Sequence, residues 1–307
     1  MNFIVVPFLL AIRLPTNGDR WHNGPEYTFN VTVSTISDLA TREDSLAGSS
    51  LLTSLKCRPR EPYRLHCRYE NTKLTKLAPK GINVESAIPP EDAIYEDFCF
   101  GNTSFEIKFD DEGIDHYRFE NDEVRIPPYR RNLYRIVANQ LNIGSKFGEV
   151  EEIKKLDNTT VGECTVDYKI TKSKLDKQSA DAEFLFTWPI NMRIETALKI
   201  EKEVRLDECI PHPVYFFGPR ADDVVPTGSI EKLISSHSKV FITDTEFTSE
   251  SVNNVKVYDT NRKIVGFVLD YVRLTFAAVD PATSDFKEIS DTITAGPIVN
   301  KLRDVCL

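Results

Sequence analysis

Between residues 26 and 34 apolar and polar side chains alternate without a break. Tyr27, Phe29, Val31 and Val33 fall on one face, and Thr28, Asn30, Thr32 and Ser34 on the other. A two-residue period is that of a strand with one buried and one solvated face. The same period returns at Phe105, Ile107 and Phe109, at Val166, Tyr168 and Ile170, and at Val272, Leu274, Phe276 and Ala278. A chain dominated by antiparallel strands is expected. One stretch differs. Residues 126–144 place Leu133, Val137 and Leu141 four apart, with Ile136 beside them, behind Pro127 and Pro128 and ahead of Gly144. That spacing predicts a helix begun by proline and capped by glycine, about 22 Å long for roughly 15 residues. Arg131, Arg135, Asn139 and Asn142 fall on its other side, and the two arginines are expected inside the fold, paired with carboxylates. A lone amphipathic helix needs a cover, and a curved or closed sheet supplies one while limiting exposed edges.

No repeat, low-complexity tract or long Gly/Ser linker divides the chain. Residues 19–307 are therefore expected to form one domain, with its loosest parts at 36–52, rich in Ser and Thr, and at 211–230, with four prolines. The apolar run from Phe3 to Ile12 is too short to span a bilayer and suits a secretory signal over residues 1–18, although Arg13 follows the run instead of preceding it. Sequons at Asn30, Asn102 and Asn158 agree with export and glycosylation, and no later segment is apolar enough to be a membrane span.

In an exported chain the six cysteines, Cys57, Cys67, Cys99, Cys164, Cys209 and Cys306, are read as half-cystines, with 15 full pairings open. No Cys-x-x-Cys pattern argues for a redox, zinc or haem site. Cys57 and Cys67 could close a short hairpin worth about 2 to 3 kcal/mol in loop entropy, or each could pair with a distant cysteine.

Catalytic and metal-binding patterns are missing from the sequence. There is no Gly-x-Ser-x-Gly elbow, phosphate loop, Gly-x-Gly-x-x-Gly or His-Glu-x-x-His, and the five histidines are scattered. No metal or cofactor is expected, and Phe109–Gly113 reads as a hairpin turn. Charge is more informative. The net charge is −9, yet residues 56–80 carry Lys56, Arg58, Arg60, Arg64, Arg68, Lys73, Lys76 and Lys80 against Glu61 and Glu70. A local positive field on an acidic protein steers an acidic partner. The alternative is a hairpin whose cations face water or pair with neighbouring carboxylates. Tyr63 and Tyr69 interleave with the arginines, but export and overall acidity argue against nucleic acid as the partner.

Four stretches resemble the N-terminal barrel of vitellogenins and the large lipid transfer proteins. They are "WHNGPEYTFNVTVST" with Trp21, Gly24 and Glu26, the helix "RRNLYRIVANQLNI" with Asn132 and Arg135, "TTVGECTVDYKITKS" around Cys164, and the closing "VYDTNRKIVGFVLDYVRLTFAAVD". The resemblance implies a mainly β fold, a large antiparallel β-barrel wrapped around one central α-helix. It departs from the family where "LDKQSADAEFLF" lacks the usual partner cysteine, so Cys164 pairs with Cys209 or differently. The chain ends at Leu307, where vitellogenins continue into a helical arch and lipid-enclosing sheets, so no bulk-lipid cavity is expected. The expected protein is a secreted, non-enzymatic binding module linked to lipid transport or yolk biology. Its implied partners are an acidic endocytic receptor of the low-density-lipoprotein receptor type, with the eight basic residues of 56–80 as the contact, and lipid or lipoprotein. A storage protein and a secreted hydrolase are the alternatives.

Overall fold

The computed structural model describes residues 11–13, 23–39, 46–60, 63–77, 89–90, 92–98, 104–110, 113–120, 128–143, 150–160, 162–174, 185–187, 196–210, 229–243, 245–283 and 292–294. These residues form strands β1 (Ala11–Arg13), β2 (Pro25–Leu39), β3 (Leu46–Arg60), β4 (Arg64–Leu77), β5 (Glu96–Asp97), β6 (Ser104–Asp110), β7 (Gly113–Glu120), β8 (Glu152–Thr159), β9 (Gly162–Lys174), β10 (Leu185–Thr187), β11 (Thr196–Ile210), β12 (Ile230–Ile242), β13 (Phe247–Tyr258), β14 (Ile264–Pro281) and β15 (Thr292–Thr294). Helix α1 spans Pro128–Ala138 and tightens into a 3-10 turn at Asn139–Leu141. Eleven strands run antiparallel in the order β7, β6, β4, β3, β2, β14, β13, β12, β11, β9, β8, a nearly closed barrel. β5 adds to β4 and β15 to β7, while β1 and β10 pair with each other apart from the barrel sheet. Between β8 and β7 the wall is joined by a side chain, since Asn158 Nδ2 donates to the Ile114 carbonyl at 2.8 Å.

The four alternating stretches lie in β2, β6, β9 and β14, and their apolar faces point into the barrel around α1. Leu133, Val137 and Leu141 are buried there as the four-residue spacing requires. Tyr134 completes the contact, with its ring centroid 5.2 Å from Tyr69, 4.8 Å from Phe105 and 5.4 Å from Phe119. Aromatic rings at these separations gain specific contact beyond their buried area.

Moving along the strands, the interior changes chemistry in register. On β14 the inward residues run from Leu274 and Val272 through Asp270 to Val268, and on β11 from Leu198 and Ile200 through Lys202 to Val204. An aromatic and aliphatic core around the helix thus gives way to a polar band, then to a small apolar cluster of Leu39, Val255, Val257 and Val268 against the Cys164–Cys209 disulfide. In the band, Gln140 donates to Ser251 at 2.8 Å and accepts from Ser249 at 2.9 Å. Asp157 accepts from Asn142 at 3.1 Å and from the Tyr168 hydroxyl, and the Lys202 ammonium donates to the Asn142 carbonyl. Buried polar groups persist only when paired in this way. Burial pulls the Lys202 ammonium down to about 8, against the raising influence of Asp157.

Several expectations are corrected. Ser34 does not face water: it is fully buried and donates to the Ser50 hydroxyl at 2.9 Å. Residues 36–39 and 46–52 are strand, because a Ser- and Thr-rich run still alternates inward Leu51 with outward neighbours; most of 211–230 lies outside the described residues. Asn142 follows the 3-10 turn and is buried in the polar band. Arg135 is inside the barrel, but its guanidinium lies 5.9 Å from the Tyr117 ring centroid and takes no carboxylate among the described residues. Gly144 lies outside the described residues, as does the Arg131 side chain. β14 carries a bulge between Phe276 and Ala278, so the alternation read through Ala278 breaks there.

Candidate functional site

On β3 and β4 the basic residues alternate with inward Leu55, Cys57, Leu65, Cys67 and Tyr69, which turns Lys56, Arg58, Arg60, Arg64, His66 and Arg68 to the outer face of the barrel. Register places Lys56 opposite Arg68 and Arg60 opposite Arg64. Like charges directly opposite one another are destabilising, and three carboxylates offset them. Glu26 of β2 meets Arg58 Nε at 2.6 Å, Arg68 Nη1 at 3.2 Å and Lys56 Nζ at 3.7 Å. Glu70 meets Arg68 at 2.8 Å and Lys56 at 3.0 Å. Glu106 of β6, only 2% exposed, holds Arg60 at 3.2 Å and Arg64 at 3.3 Å.

The second reading of the basic segment therefore applies to five of its eight cations: they pair with carboxylates brought in from neighbouring strands. Five cations against three carboxylates still leave a surplus of two positive charges on this face. Burial, then Arg60, Arg68 and Arg58, push the His66 imidazole down to about 4. Lys73 and Lys76 are exposed and make no ion pair among the described residues. Lys80 lies outside them. Sequence could not show the pairing, because Glu26 and Glu106 lie tens of residues from the arginines they hold.

Cys57 and Cys67 sit directly opposite each other on β3 and β4 and are bridged, and Cys164 is bridged to Cys209 of β11. Cys99, Cys306 and Asn102 lie outside the described residues. Asn30 is exposed in the middle of β2, while the exposed Asn158 already donates its amide to Ile114. Among the described residues no group of three His, Cys, Asp or Glu could hold a metal ion, and no helix is long and apolar enough to cross a membrane. Phe109–Gly113 is the β6–β7 turn, where Asp110 accepts from the Gly113 amide at 3.1 Å.

Two concavities were not legible in the sequence. Across the outer face of β8, β9, β11, β12, β13 and β14, register aligns Glu152, Lys169, Glu201, Lys239, Glu250 and Arg273 in a row of alternating charge. The hollow along this row has a volume of about 910 Å³. Opposite charges across neighbouring strands stabilise a sheet, so the row is first a wall element. The second concavity is a cleft of about 760 Å³ between β11 and β12. Pairing of these strands ends at Glu203 and His237, although both strands continue.

The sequence profile described as the vitellogenin N-terminal domain matches residues 21–262. No curated protein matches the chain. Among solved structures the chain is similar to a chain from a study of lipid–protein interactions in lipovitellin. That likeness has a TM-score of 0.55 at 11% identity and covers 87% of this chain and 26% of that one. At this identity it shows the fold, and the chain spans about a quarter of that chain's length.

Proposed function

Because the chain belongs to the vitellogenin N-terminal domain family, we propose that it is a secreted, non-enzymatic recognition module of lipid-carrier biology, which meets an acidic partner through the outer face of β3 and β4. The family is a lipid-transport family, and the barrel fold is the one shared with lipovitellin. The observation that carries the reading is the charge surplus at that face, flanked by exposed Lys73 on the same face of β4, on an otherwise acidic chain. The paired arginines hold a rigid, preorganised array, and Lys73 supplies the mobile contact. Acidic repeats of the low-density-lipoprotein receptor type suit such a face, through charge-assisted contacts. Two disulfides, the apolar run at Phe3–Ile12 and the sequons support an exported protein, glycosylated at Asn30 and elsewhere.

The test is binding to calcium-loaded receptor repeats at low and high salt. Lys73→Ser should leave the melting temperature unchanged, since exposed cations add little stability. The same substitution should weaken binding and flatten its salt dependence through lost steering. Unchanged affinity at both salt concentrations would remove this face from the mechanism.

A further inference from the structure

The cleft between β11 and β12 is an opening in the barrel wall. β11 stays paired with β9 at Val204, Arg205, Cys209 and Ile210, and β12 with β13 at Ile230–Leu233, Ser235 and Ser236, but the two no longer pair with each other. Both lips carry bulges, between Arg205 and Cys209 on β11 and between Leu233 and Ser235 on β12. Bulges end pairing and re-aim side chains, and they recur beside functional sites. Here they direct Val204, Leu206 and Leu233 onto the small apolar cluster of Leu39, Val255, Val257 and Val268. The cleft thus opens to solvent beside an apolar cluster that the polar band separates from the helix core.

Its volume, about 760 Å³, lies in the range of small-molecule sites, roughly 300 to 1,000 Å³. Glu203, Asp207 and Glu231 line it against Lys232 and Arg205, a net of one negative charge, and Arg205 pairs with Asp167. No cation pairs with Glu231 among the described residues, and burial holds its carboxyl above the usual value.

We infer that the cleft binds a single-chain amphiphile with an amine head, its hydrocarbon chain on Val204, Leu206 and Leu233 and its ammonium at Glu231. The apolar lining selects the chain, and Glu231 selects the sign of the head. This site is separate from the cationic face of β3 and β4, and neither reading depends on the other.

The experiment is equilibrium dialysis of the intact protein with dodecylamine and with dodecanoate, both kept below micelle formation. Dodecylamine should bind one per chain, at least about tenfold tighter than dodecanoate, the ratio expected of one charge-assisted contact. Glu231→Gln should erase that preference while leaving the melting temperature near wild type. Leu206→Trp should fill the cleft and abolish binding; should that variant not fold, Ile234→Trp on the exposed lip serves the same purpose. Equal binding of the two probes, no binding, or undiminished binding by a folded Trp variant would overturn the inference. So would binding that emerges only when Tyr215, Phe216 and Phe217 are replaced by Ser, an outcome in which the chain itself fills the cleft.

Discussion

Arg58 donates Nε to Glu26 at 2.6 Å, and the pair is buried although it stands on the outer face of the barrel. The pair therefore belongs to the architecture first. Arg58→Ser leaves the Glu26 carboxylate with Arg68 and Lys56 only, so the loss falls below the full penalty of a broken buried pair. We expect about 2 kcal/mol of destabilisation by urea unfolding, against under about 0.5 kcal/mol for Lys73→Ser. Equal, negligible losses would mean that the ladder is merely solvated charge.

His66 makes stability depend on pH in one direction. Its pKa falls from an ordinary value near 6.5 to about 4 in the folded protein. Between those values the unfolded chain binds a proton that the folded chain does not, so stability drops as pH falls from about 6.5 to about 4 and then levels off. The loss should reach roughly 3 kcal/mol. His66→Gln should flatten that part of a melting-temperature profile. A profile with the same slope in the variant would place the titration elsewhere.

The disulfides should differ in weight. Cys164–Cys209 closes 45 residues and Cys57–Cys67 closes 10. By loop entropy, replacing the first pair with Ser should cost about 4 kcal/mol and the second about 2.5 kcal/mol. Unfolding of the two double variants under identical conditions gives the order, and a reversed order would contradict it.

Gly113 has a φ of +138°, and a Cβ there would lie 2.9 Å from Asn142 Oδ1. Gly113→Ala combines an unfavourable backbone with displacement of the amide that holds Asp157. A loss of about 2 kcal/mol is expected, accompanied by a shift in near-ultraviolet signal from Tyr168, whose hydroxyl donates to the same carboxylate. Wild-type stability would mean that Asn142 can move without cost.

The fold was legible because each barrel strand has one dry face, which leaves a period of two, and because α1 alone has a period near four. Phe29, Ile107, Tyr168 and Leu274 state their orientation locally. The site was much less legible. Whether Arg58 and Arg60 were free or paired stayed open because their partners, Glu26 and Glu106, arrive through β2 and β6, and sequence spacing carries no record of which strands become neighbours. Ser34 misled for a related reason: a small polar residue reads as solvated until Ser50 is placed opposite it. The cleft left no signal, since Val204, Leu206 and Leu233 look like ordinary strand residues and only the lapse in pairing after Glu203 sets them apart.

The side-chain junction between Asn158 and Ile114 gives the barrel a preferred line of parting. Elsewhere in the wall neighbouring strands are bound by successive main-chain pairs over at least part of their length, whereas among the described residues β7 and β8 are joined by the Asn158 amide. Local openings begin where the fewest main-chain bonds must break together. Amide protons on the facing edges of β7 and β8 should therefore trade with deuterium sooner than those at the centre of β2 and β14, so the cylinder unrolls as a sheet hinged about β2 instead of collapsing around its helix.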